Sequence, residues 1–215
     1  MKLIAGTAAA ALACMLTCAQ ATAAQEPQWS AEVLIGDAIN LSSRTHIEHV
    51  QTSASAFGGD YETRGFEGPL HYAWRVTRWT GSRGWELQLL HHKLYLRDRP
   101  AGVEALSVSH GFNIVTLGRA YALDAWRFHV GVGPVIAHPE ARIAGVSYDG
   151  DYELAGAAVL GGVGAQFELS PHWSIAGEIA ATFGYAKVHP SGEPDLRFSV
   201  RNPAIHAQVG LGYRF

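Results

Sequence analysis

The end of the chain alternates in a strict two-residue step. Ile205, Ala207, Val209, Leu211, Tyr213 and Phe215 fall on one side, and His206, Gln208, Gly210, Gly212 and Arg214 on the other. A repeat of two belongs to a β-strand, whose successive side chains point to opposite faces, and is incompatible with the 3.6-residue repeat of a helix. One face is wholly apolar and finishes on an aromatic ring. The other is polar or bare. The same pattern recurs at Trp126, Phe128, Val130 and Val132 against Arg127, His129, Gly131 and Gly133.

Following this signal along the chain predicts eight strands, near 29–40, 66–79, 83–97, 104–121, 124–137, 153–168, 172–188 and 202–215. The outward apolar series read Trp29-Ala31-Val33-Ile35, Leu70-Tyr72-Trp74-Val76, Trp85-Leu87-Leu89, Leu106-Val108 with Phe112-Ile114, Val159-Val163-Phe167 and Trp173-Ile175-Ile179-Phe183. Connections alternate in length. Short turns are expected at 80–83, 121–124 and 169–171; longer loops at 41–65, 138–152 and 189–201, with 98–103 intermediate. An even strand number, short turns at one end and long loops at the other describe an all-β, eight-stranded antiparallel up-and-down transmembrane β-barrel. Trp29, Trp79, Trp85, Trp126, Trp173 and Phe215 fall at the short-turn ends, as an interfacial aromatic girdle requires.

The N-terminus reads differently. Lys2 precedes an Ala-rich apolar run from Leu3 to Leu16, and Ala21-Thr22-Ala23 supplies small residues before a cut. Residues 1–23 are therefore expected to be a signal peptide and 24–215 the barrel domain. Cys14 and Cys18 both belong to the leader, so no disulfide or thiolate metal site is expected beyond it. The net charge of −3 argues against a nucleic-acid partner.

Export signal, eight alternating strands, no cysteine beyond the leader and a terminal Tyr213-Arg214-Phe215 resemble the small OmpA/OmpX-type outer-membrane barrels of Gram-negative bacteria. The resemblance covers 24–215. It implies location in the outer membrane among its lipids and lipopolysaccharide, monomeric state, and recognition of Tyr213 and Phe215 by the barrel-assembly machinery. It does not choose among structural protein, adhesin, narrow pore and lipid-modifying enzyme.

An eight-stranded barrel is just wide enough for its side chains to fill it, so interior charges must pair. The inward faces carry Glu32, Arg75, Glu86, Arg127, Glu178 and Arg214, three acids and three bases, all toward the short-turn end. A turn centred between residues 80 and 81 sets Arg75 opposite Glu86. Between Arg127 and Glu178 lies a strand offering Gly162 and Gly164, which would let the two meet. The predicted role of this network is to plug the lumen; a gate over a narrow pore is the alternative.

Of the histidines, His46, His49, His138 and His189 fall in or beside long loops and read as solvated, with no metal site expected. His91 and His110 interrupt lipid-facing series on adjacent strands, where a polar side chain is costly. They are read as a lipid contact, or as imidazoles turned inward by a bulge at 90–92. The lipid A deacylases resemble this chain in size and strand number, but their His-x-Ser motif is absent, since Gly111-Phe112 follows His110, and Ser107 and Ser109 project to the opposite face. No catalytic residue and no cofactor are assigned. A non-enzymatic structural or surface-interaction barrel is expected, with a lipid A acyl hydrolase or a narrow diffusion pore as alternatives.

Overall fold

The computed structural model describes residues 26–48, 56–189 and 196–215, without the side chains of Ser109 and His110. The expected leader and His49 lie outside the described residues. Eight long strands form the wall: β1 (Gln28–Asn40), β2 (Tyr72–Thr80), β3 (Arg83–Leu96), β4 (Val103–Leu123), β5 (Trp126–Ala137), β6 (Glu153–Glu168), β7 (Trp173–Val188) and β8 (Arg197–Arg214). Each pairs antiparallel with its neighbour in sequence. β1 also pairs with β8, from Ser30↔Arg214 to Asn40↔Ala204, and so closes the ring. Closure leaves none of the eight long strands as a free edge, which a sheet immersed in lipid requires. Both ends of the described chain lie at the short-turn end, with the Gly81-Ser82 and Asp124-Ala125 turns and the 169–172 connection. Gly81 (φ 59°) and Asp124 (φ 52°) take the left-handed conformation that such tight reversals need.

At the long-loop end the wall continues past the strands predicted from sequence. Ser43–Glu48 pairs with the start of β8 and with Ala56–Gly59, and the hairpin of Glu140–Ile143 and Val146–Asp149 pairs onto β4. The second predicted strand starts late. Tyr61–Glu62 sits in the wall between β1 and β3, the chain leaves the wall, and regular pairing resumes at Tyr72. The excursion caps the outer face of its neighbours. Lys93 Nζ donates to Arg64 O at 2.7 Å and Glu67 O at 2.8 Å, and Asp37 Oδ1 accepts from Gly65 N at 3.0 Å. Charged groups on the outer faces of β1 and β3 are thus hydrogen-bonded to protein backbone, as burial against lipid demands.

Outside, the apolar series on β1, β3, β5, β6, β7 and β8 are the exposed large hydrophobics, including Val33, Leu87, Val130, Val159, Ile179 and Val209. Trp29, Trp85, Trp126, Trp173 and Phe215 form the girdle at the short-turn end. Trp79 does not join it: its ring turns into the lumen, Nε1 donating to Ser30 Oγ at 2.9 Å and the Arg127 guanidinium lying 4.9 Å from the ring centre. β4 departs further from expectation. Leu106, Val108, Phe112 and Ile114 are at most 2% exposed and belong to the interior, while Leu117 and Leu123 face outward. The cause is that the long-loop half of the lumen is itself apolar, filled by Leu90, Leu94, Val135 and Phe198 among others. Where both faces are apolar, hydropathy no longer tells inside from outside.

Candidate functional site

The short-turn half of the lumen holds a closed network of ions. Arg75 Nε donates to Glu32 Oε2 at 2.7 Å, and its other guanidinium nitrogens pair with Glu32 and Glu178. Arg127 Nη1 reaches Glu32 Oε1 at 2.8 Å, while Nη2 donates to Thr77 Oγ1 at 2.7 Å and pairs with Glu86. His129 Nδ1 lies 2.8 Å from Glu86 Oε1 and Nε2 lies 3.3 Å from Glu178 Oε2. Gln166 Nε2 donates to Glu32 Oε1 at 2.7 Å. All six ionisable residues are 5% exposed or less. Three carboxylates face two guanidiniums and one imidazole, so the set is neutral when the imidazole is protonated. Every charge has at least one opposite partner, which is what makes burial of ions tolerable.

Five of the six residues predicted for this network are in it. Arg214 is not. It lies one pleat closer to the barrel mouth than Glu32, which is opposite Gly212, and its half-exposed side chain meets Glu168 at 3.1 Å. The third basic group is His129, on the same face of β5 as Arg127. The pairing within the network also differs. The hairpin turns about Gly81-Ser82, so Arg75 stands opposite Gln88 and Thr77 opposite Glu86. A shift of two residues keeps both charges inward but changes their neighbours. Gly162 leaves room as expected, but His129 takes the space: a Cβ there would lie 2.2 Å from His129 Nε2. Arg127 and Glu178 are joined through His129 and Glu86, not directly.

Above this network lies a second cluster that sequence reading did not assemble. His71 on the approach to β2, His92 on β3 and His206 on β8 are 0% exposed. Their rings pack within 5.0–5.5 Å of one another, centre to centre. His71 Nε2 is 3.3 Å from His206 Nδ1, His206 Nε2 is 2.9 Å from Thr182 Oγ1, and His92 Nε2 is 2.9 Å from Asn40 Oδ1. The signal was present, since each shares the inward parity of a neighbour: His71 with Arg75, His92 with Gln88, His206 with Gln208. Their common level depends on strand register, which hydropathy does not give.

His91 is buried on the outer face of β3, stacked on Tyr72 with ring centres 4.9 Å apart, and Nδ1 meets Asn113 Oδ1 at 2.7 Å. It is closed off from lipid rather than in contact with it. Asn113, not His110, stands opposite it, because the register shifts between His92 and Leu94 and not over 90–92. The side chain of His110 lies outside the described residues. Ser107 donates to Glu140 Oε2 at 3.2 Å and sits six residues along β4 from His91's partner Asn113. That separation is about 20 Å at the rise of a strand, too far for a nucleophile–base pair. At the terminus, Tyr213 packs between Trp173 and Phe215, and Phe215 N donates to Trp29 O at 2.9 Å. A recess of about 190 Å³ opens at this end, floored by Glu32 and Gln166 and walled by Trp79, Ser174 and Tyr213.

The model of the outer membrane protein beta-barrel domain family matches residues 9–215. Among curated proteins no match is found. Among solved structures, the outer membrane protein AlkL in DMPC bilayers aligns over 92% of this chain and 94% of its own, at 11% identity and a TM-score of 0.48. OprG from Pseudomonas aeruginosa aligns over 89% and 97%, at 13% identity and a TM-score of 0.46. Ail, the attachment invasion locus protein of Yersinia pestis, aligns over 86% and 98%, at 13% and 0.39.

Proposed function

The chain belongs to the outer membrane protein beta-barrel domain family, and we propose that it is a non-enzymatic barrel with a structural or surface-interaction role and a lumen that does not conduct. The observation that carries this reading is the filling of the lumen. Its periplasmic half is crossed by the Glu32–Arg75–Glu178–His129–Glu86–Arg127 network, and its outer half is packed with apolar side chains. An ion entering from the periplasm meets guanidinium–carboxylate pairs that are 5% exposed or less and already engaged with one another, and beyond them a largely apolar region.

Its partners, in this reading, are the lipids of the outer membrane, with lipopolysaccharide against the outer leaflet half. The barrel-assembly machinery recognises Tyr213 and Phe215, and the barrel is monomeric. Two measurements test the role. In planar bilayers the refolded protein is expected to show no steady conductance; a steady open level would favour the pore. Lipid A from cells with and without the protein is expected to carry the same acyl chains by mass spectrometry. Loss or gain of a chain would favour the hydrolase.

A further inference from the structure

We propose that His71, His92 and His206 form a binding site for a divalent transition metal, Zn²⁺ foremost, which pins β2 and β3 to β8 inside the barrel. One ring nitrogen from each histidine lies within 4.8 Å of the other two. The His71 Nε2 to His206 Nδ1 separation is 3.3 Å. Tetrahedral Zn²⁺ with bonds of about 2.0–2.1 Å holds its nitrogen ligands about 3.3 Å apart. One edge of the coordination polyhedron already has that length, and small side-chain rotations close the others.

The second ring nitrogens of His92 and His206 are arranged as they are around metal ligands. His92 Nε2 faces Asn40 Oδ1 at 2.9 Å and Asn202 Oδ1 at 3.2 Å, and Asn202 Nδ2 donates to Asn40 Oδ1 at 2.9 Å, which fixes that amide. A carbonyl oxygen only accepts, so His92 carries its proton on Nε2 and keeps a lone pair on Nδ1. His206 Nε2 is held by Thr182 Oγ1, leaving its Nδ1 turned toward His71. Imidazoles that ligate metals typically spend their other N–H on such an oxygen, which fixes tautomer and ring orientation. Among the described residues, the buried His92 Nδ1 has no hydrogen-bond partner. An unfilled buried acceptor needs an explanation, and an ion on Nδ1 of His92 supplies one.

The surrounding wall keeps the site clear. β1 runs between β8 and β2 and presents to the site Gly36, whose N donates to His71 O at 3.2 Å, Ala38, opposite His206, and Asn40, which holds His92. A Cβ on Gly36 would come within 2.0 Å of Ala207 O, so the position is closed to any larger residue. Phe112 stands edge-on to His92 and excludes water on that side. Three neutral imidazoles with no thiolate or carboxylate suit Zn²⁺ and its transition-metal neighbours; Ca²⁺ and Mg²⁺ require oxygen ligands. The position has a structural logic as well. His71 is the residue at which the chain re-enters the wall after its excursion, so a metal there would tie the interrupted strand to both sides of the gap. In so dry a site, binding is coupled to folding.

The test uses the full barrel without an affinity tag, refolded in detergent with ZnCl₂, desalted and measured by elemental analysis. About one Zn²⁺ per barrel is expected to remain. X-ray absorption of the zinc-loaded wild type is expected to count three imidazole ligands. His206→Gln and His71→Gln, each confirmed as folded by heat-modifiable gel mobility, are expected to weaken retention at least about tenfold, while His172→Ala, exposed at the short-turn end, leaves it unchanged. A barrel that retains no zinc, a count of two imidazoles or fewer, or undiminished retention in folded His206→Gln would overturn the proposal. The imidazole count is read on the wild type, so it decides the matter even if the variants fail to assemble.

Discussion

The two halves of the lumen are stabilised by different physics. In the periplasmic half, polar side chains face in, lipid-facing positions are apolar, and the interior is held by ion pairs that are individually strong but mutually dependent: Glu32 alone serves Arg75, Arg127 and Gln166. In the outer half the interior is a hydrophobic core of Leu90, Leu94, Phe112 and Phe198, and charged groups such as Asp37 and Lys93 sit on the outer face beneath the 64–70 excursion. The first half follows the barrel rule of apolar outside and polar inside; the second inverts part of it. Failure should therefore be collective in the ion network and local in the core.

The most damaging single change is expected at the most connected ion. Glu32→Ala leaves two buried guanidiniums short of a partner, and breaking such a pair costs roughly 3–5 kcal/mol. Urea unfolding of the refolded barrel should report it, and Glu32→Ala combined with Arg75→Met should recover part of the loss. A near-neutral Glu32→Ala would show that water in the lumen already screens the network. In the outer half, Leu94→Ala should lower stability by about 2–4 kcal/mol through the cavity it leaves, with no rescue by any partner. Such rescue, seen in a double-mutant series, would erase the distinction between the halves. Gly162→Ala probes the network by volume alone. Its methyl group would displace His129 from Glu178, with an expected loss of about 1–3 kcal/mol despite unchanged charge. Removing the ammonium under the excursion, Lys93→Met, frees the carbonyls of Arg64 and Glu67 and should cost about 1–2 kcal/mol. Faster protease cleavage within 64–70 is the direct readout. At the rim, Arg214→Ala removes a half-exposed pair with Glu168, and a change above about 1 kcal/mol would mean that Arg214 belongs to the network after all.

How much of this was legible in the sequence also divides by half. In the periplasmic half, parity alone placed Glu32, Arg75, Glu86, Arg127 and Glu178 inside. It survived a hairpin register two residues from the expected one, because a shift of two returns every side chain to the same face. Neighbour relations did not survive it: Arg75 faces Gln88, and the third basic group is His129. In the outer half, Leu106, Val108, Phe112 and Ile114 on β4 read as lipid-facing because apolar residues are the only outward signal available, and there they line the interior. The histidine cluster required register between β2, β3 and β8 at once. The excursion at 64–71 carries Gly65, Gly68 and Pro69, which mark a break but not the direction the chain takes through it.

The central claim is that the lumen is closed by ions below and by dry apolar packing above. Because the chain has no cysteine after Cys18, a single introduced thiol can be read without background. Leu94→Cys and Ile114→Cys, whose native side chains are 0% and 1% exposed, place that thiol in the outer lumen, and Gly58→Cys, where a Cβ meets nothing within 4 Å, serves as the exposed control. Labelling folded barrels in liposomes with a charged, water-soluble maleimide should modify the control and leave both lumen positions unreacted. Rapid modification of Leu94→Cys and Ile114→Cys in barrels that keep folded gel mobility would mean a water-filled passage runs through the outer half, and the account of a closed lumen would be wrong.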